Sequence, residues 1–222
     1  METSQRLSIG PIQNPMRGLL HGGAAIASAF GMIFLLQPTT DDRAQRASLL
    51  IFGLSLVVLY TVSSLYHCAP WSRQWKRNIR KVDHSLIYVV IAGTYTPLAA
   101  FALEGTLQKI CLVIVWTIAA FGIAQKMFWP RVPVGYSVTL QTLQSTLALG
   151  LLQPLSEKLP WPALALLVFG GLLYGAGMIL YVTQRPRLWP RVFSYHELFH
   201  VFVVAGSFVH YVMTLVYIVP LA

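Results

Sequence analysis

Two histidines four residues apart, His196 and His200 in SYHELFH, fall on one face of any helix that contains them. His67 follows Ser63 at the same spacing in TVSSLYHC, and Asp83 adjoins His84 in KVDHSLIY. A histidine pair one turn apart plus a third histidine from another helix supplies three nitrogen ligands. That leaves a fourth position open, the arrangement of a catalytic rather than a closed structural zinc site. Imidazole suits zinc, and iron, copper and nickel accept the same ligand type. Asp83 would orient or deprotonate water beside the metal, with an ion pair to Lys81 or a loop arginine as the alternative role. The Ser63 hydroxyl has two uses: bonding that water or an oxyanion, or returning to its own helix backbone.

The remaining polar groups have less obvious places. His84 offers a substitute ligand, but adjacent helical residues point about 100° apart, so His84 and Asp83 cannot both face one ion. His210 lies ten residues past His200, about 15 Å deeper along a helix, too far to share a metal. It is expected to bond another helix. His21 either supports the site or is a hydrated helix end. The segment His196-Glu197-Leu198-Phe199-His200 also fits H-E-x-x-H, in which a metalloprotease uses the glutamate as general base. No acidic third-ligand motif follows it. Cys68 and Cys111 fall in different apolar runs and support neither a disulfide framework nor a CxxC clamp.

The elements that must hold these residues are membrane spans. Of 222 residues, 56% are apolar and 10% charged, with a mean hydropathy of +0.63, whereas soluble domains carry roughly 25% charge. Apolar runs between charged or proline-rich breaks predict spans near residues 19–37, 47–69, 84–103, 107–128, 134–152, 161–183 and 196–219, each close to the ~20 residues that cross a hydrocarbon core. The chain is therefore expected to be an all-α, seven-helix transmembrane bundle over residues 19–222. Residues 1–18 form a cytoplasmic segment ahead of it, without the apolar core and cleavage site of a signal peptide. The fifth span carries Gln141, Thr142, Gln144 and Ser145, which suits a helix facing protein or a cavity. Glycines in GGLLYGAG of the sixth would permit close helix contact.

The net charge of +9 does not point to nucleic acid, because Lys and Arg sit in short segments between the apolar runs. With the amino terminus inside, Arg6, Arg17, Arg73, Lys76, Arg77, Arg80, Lys81, Lys126, Arg131, Arg185, Arg187 and Arg191 are cytoplasmic. Only Arg43, Arg46, Lys109 and Lys158 lie outside. The positive-inside rule thus puts the amino terminus in and the carboxyl terminus out, with WSRQWKRNIRK as the strongest inside loop. Its tryptophans, with Trp129 and Trp189, fit an interfacial aromatic belt. In this topology His67 ends a span running inward while Asp83 and His196 begin spans running outward. All three clusters then meet at the cytoplasmic face, and coincidence alone would not choose one side three times.

The ordered set Ser63-x-x-x-His67, Asp83-His84 and His196-x-x-x-His200 resembles the progestin and adipoQ receptor family, in its bacterial haemolysin III branch. Asn14 and His21 in NPMRGLLHG resemble the family's amino-terminal Asn and His, AGTYTP is similar to the bacterial members, and HELFHVFVVAGSFVHY to the last span of the adiponectin receptors. The resemblance covers nearly the whole chain. It implies zinc held by His67, His196 and His200, with Asp83 and Ser63 beside it. The family's similarity to the alkaline ceramidases implies hydrolysis of a membrane lipid amide or ester, in a bacterial inner membrane. A receptor or lytic protein with a structural zinc, or an intramembrane protease of the H-E-x-x-H type, are the competing expectations.

Overall fold

A computed structural model describes residues 8–9, 12–37, 41–129, 132–189 and 192–221, so Arg6, Arg131 and Arg191 of the charge count lie outside the described residues. Eight α-helices follow one another: α1 (Pro15–Leu36), α2 (Arg43–Cys68), α3 (Arg73–Ala102), α4 (Gly105–Phe128), α5 (Val134–Gly150), the short α6 (Leu152–Ser156), α7 (Trp161–Thr183) and α8 (Tyr195–Met213). A π-turn, Thr214–Ile218, and a 3-10 turn, Val219–Leu221, continue α8. Ser8–Ile9 pairs antiparallel with Ile12–Gln13 ahead of α1. Among the described residues six helices are long and apolar enough to cross a membrane, the last running Tyr195–Leu221. Helix α5, at 17 residues, is shorter.

Local chemistry sets the helix starts. The Asp42 carboxylate accepts from the backbone N–H groups of Ala44 and Gln45 at α2, and the Ser72 hydroxyl accepts from Trp75 N–H at α3. Gly105 opens α4 at φ +57°, a left-handed conformation that glycine adopts without a Cβ penalty. The Ser72 cap also corrects a boundary. The basic stretch read as a loop before residue 84 is the first turns of α3, which places Asp83 and His84 ten residues into a helix rather than at its start. Likewise α1 begins at Pro15, so Arg17 is helical.

Helix α3 is central: 67% of its most apolar window is buried, against 11% for α1. It packs between α2 and α4 and is tied to α5, where Tyr88 and Tyr95 donate to the carbonyls of Ser137 and Ser145. Gln141 and Gln144 of α5 are buried, and the Gln144 amide donates to the carbonyls of Tyr88 and Val115. The two glutamines of this helix thus face protein, as expected, whereas Thr142 and Ser145 are exposed. Lipid as apolar as leucine gives helices little hydrophobic reason to associate, so close backbone approach matters. A Cβ on Gly170 would meet the His210 ring at 2.3 Å and one on Gly177 would meet Phe202 at 2.9 Å, whereas Gly171 and Gly175 face open space. Two of the four glycines in GGLLYGAG therefore make the contact of α7 with α8.

Candidate metal centre

The carboxyl end of α2 and the first turns of α8 bring His67, His196 and His200 together. One ligand nitrogen from each lies within 4.8 Å of the others. Ring centroids are 4.9 Å apart for His67 and His200, 4.9 Å for His196 and His200, and 5.3 Å for His67 and His196. Helix α8 can start at Tyr195 because Ser194 and Glu197 form a capping box, with the Ser194 N–H donating to Glu197 Oε2 at 2.8 Å. That cap puts both α8 histidines within the first two turns.

The fit to a metal rests on donor type and on satisfaction. His200 is buried, and its Nδ1 has no hydrogen-bond partner. A buried polar atom without a partner costs roughly 1–3 kcal/mol, so such atoms ask for a ligand or an ion. Three clustered imidazoles suit zinc among the first-row metals, and they leave room for a fourth ligand.

Asp83 approaches from α3. It is buried, and the Ser63 hydroxyl, one turn from His67 on α2, is turned to its carboxyl. Lys81 is not its partner, since that ammonium donates to the Met127 carbonyl at 2.9 Å. His84 bonds its own helix, with Nδ1 2.7 Å from the Arg80 carbonyl, and the same nitrogen lies 3.6 Å from Asp83 Oδ2. His210 lies deeper and bonds the Leu167 carbonyl of α7 at 3.1 Å, the cross-helix contact expected of it.

Three features depart from expectation or were not foreseen. His21 is no hydrated helix end: it is buried, stacks on His200 with centroids 3.9 Å apart and 31° between planes, and has no hydrogen-bond partner at either ring nitrogen. Arg17, counted as an inside-loop charge, is buried in α1 with its Nε donating to Glu197 Oε1 at 2.6 Å. Glu197 is thus held at both oxygens, by Arg17 and by the Ser194 N–H. The sequence marked Glu197 through the H-E-x-x-H pattern, and nothing local marked Arg17 as its partner.

The model of the haemolysin-III-related family matches residues 11–211. The chain belongs to that family. Over 203 residues it is 33% identical to the hemolysin-3 homolog of Bacillus subtilis (strain 168), covering 90% of this chain and 92% of that protein. It is 32% identical over 206 residues to hemolysin-3 of Bacillus cereus, covering 92% and 91%. A more distant similarity, 24% over 181 residues, links it to the human monocyte to macrophage differentiation factor, over 80% of this chain and 73% of the relative. The family match spans α1 to α8 and includes every histidine of the cluster.

Proposed function

We propose that the chain is an integral membrane zinc hydrolase that cleaves a lipid amide or ester. The observation that carries this reading is the set of three histidine nitrogens within 4.8 Å, with Asp83 and Ser63 on the adjoining turns. Zinc, when bound by His67, His196 and His200, supplies a Lewis acid that polarises a carbonyl and makes water a nucleophile near neutral pH. Asp83 takes the proton of the attacking water and passes it to the leaving amine or alcohol. Ser63 donates its one O–H to the Asp83 carboxylate and turns it to the developing oxyanion once Asp83 carries the proton. Lipid enters sideways from the bilayer, between helices. Helices α5 and α6 together complete a seventh crossing. With the amino-terminal segment, residues 1–18, inside, the histidine end faces the cytoplasm of a bacterial plasma membrane, an orientation supported by the lysines and arginines of the α2–α3 region.

The names of the Bacillus relatives favour a second reading, a lytic protein; in it, as in a receptor, zinc would only tie α2 to α8. The protease reading has less support, because the arginine and the helix cap engage both oxygens of Glu197 and fix its orientation, which leaves it less free to take a proton from water. Metal analysis of the purified chain, with a screen of ceramides, other lipid amides and lipid esters on wild type and His67→Ala, separates these. Stoichiometric zinc with turnover that His67→Ala abolishes is the expected result. Zinc without turnover gives the structural reading, and no stoichiometric metal defeats the centre itself.

A further inference from the structure

Glu197 has no task in the hydrolysis proposed above, yet it sits between two ligands and is buried with Arg17. Arg17 and His21 lie four residues apart on one face of α1, and Glu197 and His200 three apart on one face of α8. The two helices therefore meet in matching rungs one turn apart: Arg17 Nε to Glu197 Oε1 at 2.6 Å, and the His21 ring on the His200 ring at 3.9 Å. Close to these rungs α1 is also fastened to α2. A Cβ on Gly18 would fall 1.8 Å from Cys68 Sγ, and the Ser64 hydroxyl donates to the Gly18 carbonyl at 2.8 Å. Helix α1 contributes no ligand, but it touches both helices that do.

We infer that the Arg17–His21 face of α1 is the positioning arm of the metal centre. It sets the rotation and depth of the first turns of α8, so that His196 and His200 meet His67 of α2. Rotating α8 would pull the Glu197 carboxylate from Arg17 and swing His196, its neighbour, off the cluster. A carboxylate in low dielectric resists that move because separating a buried pair leaves an uncompensated charge. The residues act through the ligands and are positioning residues, not catalytic ones. The inference rests on the metal-centre reading.

The test uses the full chain in lipid nanodiscs, comparing wild type with Arg17→Lys, Arg17→Met, Glu197→Gln and the double variant Arg17→Met/Glu197→Gln. Zinc affinity is read by chelator competition, and the geometry of the site by the visible absorption of the cobalt-loaded protein. Each neutralising single variant should weaken zinc by about 10- to 100-fold, the range seen when groups that orient ligands are lost. The double variant leaves no lone buried charge, so it should fold even where a single variant does not, and still bind zinc at least tenfold more weakly with altered cobalt bands. Arg17→Lys keeps the charge but moves its contact point; a severalfold loss of affinity, with the thermal midpoint of the zinc-free protein unchanged, is expected. Wild-type affinity and cobalt spectrum in both the double and the lysine variants overturn the inference while leaving the metal centre standing. A wild-type chain that binds no zinc overturns both.

Discussion

The two ends of the bundle bury different things. At the histidine end, polar groups reach from one helix to another: Arg17 to Glu197, Ser64 to the Gly18 carbonyl, Ser63 toward Asp83, His21 onto His200. At the far end the packing is apolar, with Leu35, Leu49, Leu155 and Ile218 almost wholly buried. Two buried hydroxyls there return to their own helix, Ser48 to the Gln45 carbonyl and Thr214 to that of His210, while the hydroxyls of Tyr95 and Tyr211 cross to the carbonyls of Ser145 and Gly31. An ion pair at that end lies on the surface, where Lys158 donates to Glu104 at 2.6 Å. The histidine end gathers ring nitrogens of His21 and His200 that lack hydrogen-bond partners, which is costly in a low dielectric. Away from that cluster the unpaired buried atoms, such as Gln144 Oε1 and His210 Nδ1, stand singly.

If the ends divide chemistry from stability in this way, His200→Ala should have the largest effect. Zinc content should fall to background and turnover vanish, a loss beyond the ~10–100-fold cost of removing a group that merely orients a ligand. Asp83→Asn comes next: turnover drops by about 100- to 10,000-fold, the usual worth of a positioned acid–base group, while zinc stoichiometry by metal analysis is unchanged. A variant that lost zinc too would make Asp83 a ligand. At the far end, Leu155→Ala should cost about 2–5 kcal/mol of stability and lower the thermal midpoint, yet keep one zinc per chain. Loss of zinc there would show that the ends are not separable.

Chelation provides a smaller effect of the opposite pattern. Stripping zinc from wild type should cost about 2.7 kcal/mol where zinc stood at 100 times its dissociation constant, and the same treatment should leave the thermal midpoint of His200→Ala unmoved. The smallest change belongs to Glu104→Gln. The hydrogen bond and charge of Lys158 hold the Glu104 carboxyl below its ordinary range, so the pair stabilises the fold at neutral pH. That contribution fades as pH falls through the lowered value, and salt screens it because both groups are exposed. Wild type should therefore lose a slight thermal advantage over Glu104→Gln on acidification, and a midpoint difference that persisted in acid would contradict this account.

Much of the site was legible because helix periodicity is local. His196 and His200, or Ser63 and His67, share a face wherever a helix forms, and the apolar runs made helices unavoidable. The inward glutamines of α5 were legible for a related reason, since lipid would not accept Gln141 and Gln144. The start of α3 was not. Residues 73–83 are charged, which reads as a loop when span length is the guide, but the helix continues past its apolar portion from the Ser72 cap. His21 and Arg17 were placed on the correct end by topology alone, without their burial or their partners.

Sequence by itself determined the membrane class, the helical spacing of the clustered histidines and the family, because each depends on composition, on a period of 3.6 residues or on an ordered set of motifs. Tertiary structure alone decided that Arg17 meets Glu197 across 180 positions of chain, and that His21 lies on His200. Those pairings follow from how α1 rotates and settles against α2 and α8. That depends on small-residue contacts such as Gly18 against Cys68, whose geometry no local pattern encodes.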